Sequence, residues 1–170
     1  AIMREPKKTA NHIDNILSLE DFLPYQLSIL SNRVSSTIAT AYQDKFALTV
    51  TEWRIMAVLG ETMGVGSPDV AGVSADTVSQ RTQVEKSLIS RAIKRLLARN
   101  LVRRETDAQD ARKHCLRLSR TGQDIYRQVV PLSKAYEQEL FACLSNSERN
   151  TFHRLIKKVS GSIESKELED

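Results

Sequence analysis

The chain has 170 residues, of which 27% are charged and 41% hydrophobic, so its length and composition suit one domain or a domain with helical extensions. No apolar run approaches the ~18 residues that a membrane span needs, so we expect no contact with a membrane. No secretory signal is visible at the N-terminus, and the sequence therefore predicts a cytoplasmic protein.

The N-terminal quarter predicts a flexible arm followed by one long helix. Residues 1–11 are polar and basic, as in many disordered termini, and residues 13–19 predict one or two helical turns. Pro24 suits the first position of a helix that runs to about residue 44. Apolar side chains recur along that helix at helical spacing, which predicts that they belong to the core. They are Leu23, Leu27, Leu30, Val34, Ile38 and Ala41.

Thr49 and Glu52 predict the start of the next helix, because Thr-x-x-Glu is the capping-box pattern. This helix is expected over residues 50–59. Its apolar side consists of Trp53, Met56, Ala57 and Leu59. Residues 60–73 are rich in glycine and contain Pro68, so we interpret them as a loop.

Two short helices joined by a tight turn are predicted next. Ser74 suits the N-cap of a helix over residues 75–81, residues 82–84 form the turn, and a second helix covers residues 86–99. The apolar face of the second helix consists of Ile89, Ala92, Ile93, Leu96 and Leu97. The opposite face is cationic, rich in hydrogen-bond donors and free of carboxylates, so it suits the major groove of DNA. The candidate contacts are Lys86, Ser87, Ser90, Arg91, Lys94 and Arg95.

A β-hairpin is predicted directly after this helix. Residues 101–105 and 114–118 predict two strands, and residues 106–113 form a polar tip between them. Arg112 and Lys113 lie at the tip, where they are placed to reach an adjacent minor groove or the phosphate backbone. The hairpin therefore strengthens the interpretation of a DNA-binding unit.

The C-terminal third predicts two more helices. Ser119 or Thr121 suits the N-cap of a long helix over residues 122–144, in which Pro131 is expected to introduce a kink. A second capping box, Ser145-x-x-Glu148, predicts a last helix that ends near residue 160, with Gly161 as its stop signal. These helices contain more apolar residues than one small domain needs, so we expect them to pair with a second copy.

Charge is unevenly distributed along the chain. Residues 81–120 contain twelve Lys or Arg and four Asp or Glu, whereas the whole chain has a net charge of only +4. A basic middle between acidic flanks predicts a localised surface for a polyanion.

Catalysis finds little support in the sequence. There is no phosphate-binding glycine loop and no recognisable nucleophile motif. The three histidines lack the spacing of metal ligands, so we expect no metal and no cofactor. Cys115 and Cys143 do not form a Cys-x-x-Cys pair and are expected to be reduced.

Three segments resemble the MarR family of winged-helix transcription factors. They are LTVTEWRIMAVL at 48–59, EKSLISRAIKRLLARNLVRRE at 85–105 and DAQDARKHCLRLSRTGQDIY at 107–126, the last with a D-x-x-D-x-R wing signature. The chain departs from the family pattern at Gln83, where a small residue or glycine is usual, and in the length of segment 60–73.

The resemblance implies a mainly α fold with a small antiparallel β-hairpin wing. It implies a winged helix-turn-helix domain over residues 48–121, and a helical dimerisation region made of residues 1–47 and 122–170. It also implies a salt bridge between Asp110 and Arg112 that orients the wing arginine. The expected function is that of a homodimeric repressor on a palindromic operator in double-stranded DNA.

A small aromatic carboxylate is the expected effector, because relatives in the family often bind phenolic or aromatic acids. The segment 22–35 also resembles the branch that responds to hydroxycinnamate-type compounds. Arg33 suits a bidentate carboxylate contact, with Tyr25 and Ser36 along the same flank and Trp53 available to stack on a ring. The competing interpretation is a structural salt bridge for Arg33 and a core position for Trp53.

Three alternatives remain open from the sequence. Two are regulators of another kind: an activator, or a redox-switched protein. The third, from a different class, is a helical protein-interaction module whose basic face is incidental. Steep dependence of duplex binding on salt separates a DNA-binding protein from such a module, because only DNA binding releases counterions from the duplex.

Overall fold

The computed structural model describes residues 16–62, 72–106 and 114–167. These residues form six helices and one two-stranded sheet, which confirms the mainly α class with a β-hairpin. In chain order the elements are α1 (Leu23–Phe46), α2 (Val50–Glu61), α3 (Ala75–Thr82), α4 (Lys86–Ala98), β1 (Val102–Thr106), β2 (His114–Leu118), α5 (Arg120–Leu140) and α6 (Asn146–Glu167). The packing divides the chain within α1, into residues 1–37 and residues 38–170.

The first unit contains the start of α1 and the turn before it. The described part of the predicted helical segment, residues 16–19, is not helical, which corrects that prediction. The Ser18 hydroxyl donates instead to the Asp21 carboxylate at 2.8 Å and closes a turn. The first three residues of the apolar stripe that was predicted as core are exposed in the single chain, with Leu23 68%, Leu27 51% and Leu30 46% exposed. The other three, Val34, Ile38 and Ala41, are partly buried, and Ile38 packs against the core.

The second unit contains a continuous apolar core. Ile55, Met56 and Leu59 of α2 lie in it together with Ile89 and Leu96 of α4. The predicted apolar face of α4 is confirmed, because Ile89, Ala92, Ile93 and Leu96 are all buried. Trp53 is only partly buried and packs against this core.

Both predicted capping boxes form, and they explain where α2 and α6 begin. The Glu52 backbone N–H donates to the Thr49 hydroxyl at 3.2 Å, and Glu52 accepts from the Thr49 backbone N–H at 2.9 Å. Ser145 and Glu148 make the equivalent pair of hydrogen bonds at 3.3 and 2.8 Å. Two otherwise unpaired N–H groups are satisfied at each helix start.

A Schellman turn connects α4 to the sheet. The Leu101 N–H donates to the Leu96 carbonyl at 2.9 Å, and the Asn100 N–H donates to the Leu97 carbonyl at 3.0 Å. Asn100 has a φ of 53°, in the left-handed region that asparagine tolerates better than most residues. The turn fixes the direction in which the hairpin leaves α4.

The sheet is antiparallel, with Val102 opposite Leu118 and Thr106 opposite His114. Val73 also pairs with Leu116, through two backbone hydrogen bonds of 3.0 and 2.8 Å. The segment 60–73 was interpreted wholly as a loop. Its start belongs to α2 and its end pairs with β2, whereas residues 63–71 lie outside the described part of the chain.

The bounds of the two C-terminal helices differ from those predicted. Helix α5 begins two residues earlier, at Arg120, with Ser119 as its N-cap, and it ends at Leu140 rather than at residue 144. It continues through Pro131, and the kink stays a prediction. Helix α6 continues through Gly161 to Glu167, so the stop signal was wrong. A glycine inside an exposed helix costs only about 1 kcal/mol, which does not end the helix.

Candidate nucleic-acid interface

The turn between α3 and α4 is held by side chains of its own residues. The Ser79 hydroxyl donates to the Val84 carbonyl at 2.8 Å, and the Thr82 hydroxyl donates to the Val78 carbonyl at 2.8 Å. Gln83 has a φ of 52°, in the left-handed region where glycine is favoured. Its amide donates to the Gln80 carbonyl at 2.9 Å. This explains how a glutamine occupies a position where the family pattern has a small residue.

The side chains that were predicted to contact DNA all lie on the exposed face of α4. They are Lys86, Ser87, Ser90, Arg91, Lys94 and Arg95. The opposite face is buried against the core, so the helix is fixed along its apolar side and presents its cationic side to solvent. Exposure is what a base-reading helix requires, because its side chains must reach the base edges in the groove.

Two of these cations have carboxylate partners. Lys86 pairs with Asp76 of α3 at 2.9 Å, and both side chains are highly exposed, so this pair is worth little in water. Arg95 is different, because its Nε donates at 2.7 Å to Glu52, whose side chain is only 3% exposed. Arg95 therefore belongs to a polar cluster beneath α4 as well as to its exposed face.

Glu52 is the centre of that cluster. Burial alone raises the pKa of its carboxyl, but the Thr49 N–H and the Arg95 guanidinium outweigh burial and hold this pKa below its ordinary value. Arg99 lies 4.0 Å from the same carboxylate. It also donates to the carbonyls of Phe46 and Ala47, at 2.6 and 2.9 Å. Glu52 is thus ionised and joins α2 to α4, while Arg99 joins α4 to the end of α1.

Two further side chains lie near this face and were not predicted from the sequence. Leu88, in the first turn of α4, is 45% exposed and lies among the cationic residues. Arg104 of β1 lines a groove of about 100 Å³ together with Asp76, Lys86 and Ser90. The helical period places Leu88 outside the apolar stripe, so its exposure could have been predicted from the sequence. The groove that contains Arg104 depends on how β1 packs and could not.

The two strands of the hairpin carry a small ionic network. Glu105 pairs with Arg103 at 2.9 Å and with Arg117, on the opposite strand, at 2.7 Å. The tip, residues 107–113, lies outside the described residues. The predicted contacts of Arg112 and Lys113 and the predicted pair of Asp110 with Arg112 therefore remain predictions.

The residues predicted to bind an effector fall in both units. In the first unit, Tyr25 and Arg33 line one depression of about 220 Å³ with Leu19 and Ile29. Ser36, in the same unit, is exposed.

Trp53 lies in the second unit, between two tyrosine rings. Its ring centroid is 5.6 Å from that of Tyr42 and 5.8 Å from that of Tyr126. Part of the Trp53 surface is therefore already covered by aromatic neighbours.

Other kinds of site are not visible in the described part of the chain. No group of His, Cys, Asp or Glu side chains there has the arrangement of a metal site. None of its helices is long and apolar enough to cross a membrane. Cys115 is buried and Cys143 is exposed, and both thiols are free.

A helix-turn-helix followed by a β-hairpin, with an exposed cationic second helix, defines a winged helix-turn-helix protein. The model of the MarR family matches residues 48–113, which span α2 to the end of the hairpin tip. Residues 48–113 thus match the MarR family, which confirms the resemblance seen in the sequence.

Known proteins are similar to this chain over a larger part of its length. The transcriptional regulator HosA of Escherichia coli is 24% identical over 112 residues, which are 66% of this chain and 77% of HosA. The structure of a MarR/EmrR-family regulator from Acinetobacter has a TM-score of 0.75, with 23% identity, and the match covers 88% of this chain and 99% of that one.

Two further structures show proteins of this fold with a bound partner. MepR of Staphylococcus aureus was solved with DNA; it has a TM-score of 0.72 and 18% identity, and the match covers 86% of this chain and 99% of MepR. CouR of Rhodococcus jostii was solved with p-coumaroyl-CoA; it has a TM-score of 0.70 and 18% identity, and the match covers 85% of this chain and 95% of CouR. At these identities the likeness concerns the fold.

Proposed function

We propose that this protein is a ligand-responsive transcriptional repressor that binds double-stranded DNA as a homodimer. The observation that carries the proposal is the exposed cationic face of α4, seated on a buried apolar face within a helix-turn-helix. The MarR-family match over residues 48–113 and the DNA complex of MepR support it. A DNA-binding role also fits the excess of Lys and Arg over Asp and Glu in residues 81–120.

Residues 48–121 form the DNA-binding domain in this proposal, and residues 1–47 and 122–170 form the dimerisation region. Support comes from apolar side chains that a single chain leaves in water. On α6, Leu155, Ile156, Val159 and Ile163 share one face and are 44–54% exposed. A contiguous apolar face of this kind marks an interaction surface, and a second copy is the simplest partner for it.

The test of DNA binding is fluorescence anisotropy with labelled duplexes from the region flanking the protein's own gene. Arg91→Ala is expected to weaken binding by about 1–3 kcal/mol and to relax the preference for one base, if Arg91 pairs with a guanine. Arg127→Ala is the matched control, because Arg127 is an exposed arginine on α5 that pairs with Asp124 at 3.2 Å. Equal affinities for wild type and Arg91→Ala would show that α4 does not read the DNA.

A small aromatic carboxylate is the proposed effector, and its binding is proposed to cause the protein to dissociate from DNA. The depression that contains Tyr25 and Arg33 supplies an aromatic ring, apolar walls and a guanidinium, which together suit an aromatic acid. The p-coumaroyl-CoA complex of CouR adds support, since its ligand contains a hydroxycinnamoyl group. The contacts expected of Ser36 and Trp53 stay predictions.

Titration of the DNA complex with p-coumarate, ferulate and salicylate tests the effector. Wild type is expected to release the duplex, and Arg33→Ala is expected to need a much higher concentration of acid, since it lacks the bidentate contact. Arg127→Ala again controls for loss of one positive charge. An undiminished response of Arg33→Ala would remove Arg33 as the anchor while leaving DNA binding intact.

A further inference from the structure

Arg95 forms an ion pair with Glu52 beneath α4, in addition to its place on the exposed face of the helix. Its Nε is already bound at 2.7 Å to a carboxylate that has almost no access to water. A buried carboxylate that loses its cation is left with an uncompensated charge, so the pair resists opening. An arginine held in this way has a fixed direction, and it cannot move freely towards a phosphate.

The same carboxylate is itself rigidly placed. Glu52 is the third residue of α2, and its second oxygen accepts the Thr49 backbone N–H at 2.9 Å within the capping box. Arg99, one turn after Arg95 on α4, donates to two carbonyls at the C-terminal end of α1, where a cation is favoured. The flank of α4 is thus tied by polar contacts to the start of α2 and the end of α1.

The apolar face of α4 does not supply such a constraint by itself. Ile89, Ile93 and Leu96 resist separation of α4 from the core, but apolar packing is only weakly directional against rotation or sliding of a helix. Base readout needs side chains held within about 0.5 Å and 10–20° of their working geometry. A directional contact in the last turn of the helix, such as that of Arg95, therefore has a use.

We infer that Glu52 is a positioning residue for the DNA-reading helix, and that Arg95 acts on DNA through its ion pair with Glu52 rather than through a phosphate contact. This inference rests on the proposed function and deepens it, since it assigns a role to a residue outside the DNA-contacting surface. It also reassigns Arg95, which was predicted to contact DNA directly.

Two substitutions at the start of α2 separate this role from helix capping. Glu52→Gln keeps an oxygen for the Thr49 N–H, as capping boxes with glutamine do, but it removes the charge that holds Arg95. Thr49→Ala removes the hydroxyl of the cap and leaves the Glu52 carboxylate in place. Both variants are expected to be less stable than wild type, so Thr49→Ala is the control for a merely structural loss.

Anisotropy titrations over a series of salt concentrations provide the readout. Glu52→Gln and Arg95→Gln are each expected to lower affinity about tenfold, with the slope of log K against log salt unchanged. The double variant is expected to bind no more weakly than either single variant, because both remove one shared interaction. Thr49→Ala is expected to bind DNA as wild type does. Circular dichroism at the titration temperature confirms that each variant is folded.

Other outcomes would overturn the inference. If Arg95 neutralised a phosphate directly, the salt slope of Arg95→Gln would fall by about 0.9 for each phosphate that is no longer neutralised, and Glu52→Gln would bind like wild type. If Glu52→Gln does not fold, the slope of Arg95→Gln decides alone, since Arg95 is half exposed. If wild type shows no salt-dependent duplex binding, the proposed function fails and this inference fails with it.

Discussion

Gly122 lies where α5 passes closest to the backbone that follows α4, and it is a sensitive point for substitution. A Cβ at this position would lie 2.0 Å from the carbonyl oxygen and 3.0 Å from the carbonyl carbon of Leu101. Real Cβ atoms essentially never approach another atom closer than 3.0 Å. Gly122→Ala therefore forces the first turn of α5 to retreat by about 1 Å from a backbone group that cannot rotate away.

The retreat would stretch a set of short hydrogen bonds at this junction. The Ser119 N–H donates to the same Leu101 carbonyl at 3.0 Å, and the Ser119 hydroxyl donates to the Asn100 carbonyl at 2.6 Å. Overpacking costs about 1–3 kcal/mol and a strained hydrogen bond costs about 1 kcal/mol. The better helix propensity of alanine returns up to about 1 kcal/mol. The expected net destabilisation is about 2 kcal/mol, or about 4–8 °C in Tm for a chain of this length.

Urea and thermal denaturation measure this loss, and Gly161→Ala is the control. Gly161 lies inside exposed α6, and a Cβ there would meet no other atom within 4 Å. The same substitution should therefore stabilise the protein at this site, by about 0.5–1 kcal/mol. A Gly122→Ala variant as stable as wild type would refute the reasoning, because it would show that α5 can shift at the junction without cost.

Two further predictions concern the ends of helices. Ala47, which follows α1, has a φ of 49°, in the left-handed region. Ala47→Gly is expected to stabilise the protein by about 0.5 kcal/mol in urea denaturation, because relief of the backbone strain exceeds the added entropy of the unfolded chain. A loss of stability would contradict this. Because the pKa of Glu52 is lowered by folding, its ionised carboxylate stabilises the fold at pH values above its ordinary pKa of 4.5. This stabilisation is lost as the pH falls through the pKa of the folded state. The difference in unfolding free energy between wild type and Glu52→Gln should thus be widest above about pH 5 and shrink in acid, and a constant difference would show that the Glu52 charge does not stabilise the fold.

Local signals in the sequence predicted most of the helix starts. Ser74 and Ser119 cap their helices through hydrogen bonds to the N–H groups of Thr77 and Gly122, both at 3.0 Å. These contacts span three residues, so the pattern of residue types is sufficient to find them. The buried face of α4 was predictable for the same reason, because a helical period maps directly onto one side of the helix.

The role of Arg95 could not be predicted in this way. The period of α4 places it on the exposed face, and that is where it lies, but its partner Glu52 is 43 residues away. The capping-box pattern was a sufficient reason for a glutamate at position 52, so the sequence did not indicate a second contact for its carboxylate. Contacts across such separations depend on how helices pack, and one sequence alone does not record that packing.

The apolar stripe of α1 shows a limit of another kind. Its period was correct for a helix, but a period does not distinguish a face that packs inside the chain from a face that packs against another molecule. Leu23, Leu27 and Leu30 were predicted as core and are exposed, whereas Ala39 and Tyr42, further along the same helix, are buried. Tyr42 packs against Trp53 of α2, with the two ring centroids 5.6 Å apart.

Burial divides the apolar residues into two groups, and the division bears on how a ligand would act. The core around α2, α3 and α4 is complete within one chain, so the reading helix is seated without help from a partner. The apolar faces at the start of α1 and on α6 are left in water, at a cost of roughly 25 cal/mol for each Å² that remains uncovered. In the proposed dimer these faces set the distance between the two copies of α4, which must match half-sites about 34 Å apart. A ligand near Arg33 would then change the distance between the two helices rather than the geometry of either DNA-binding domain. It would release DNA only if it favours a separation that the duplex does not fit.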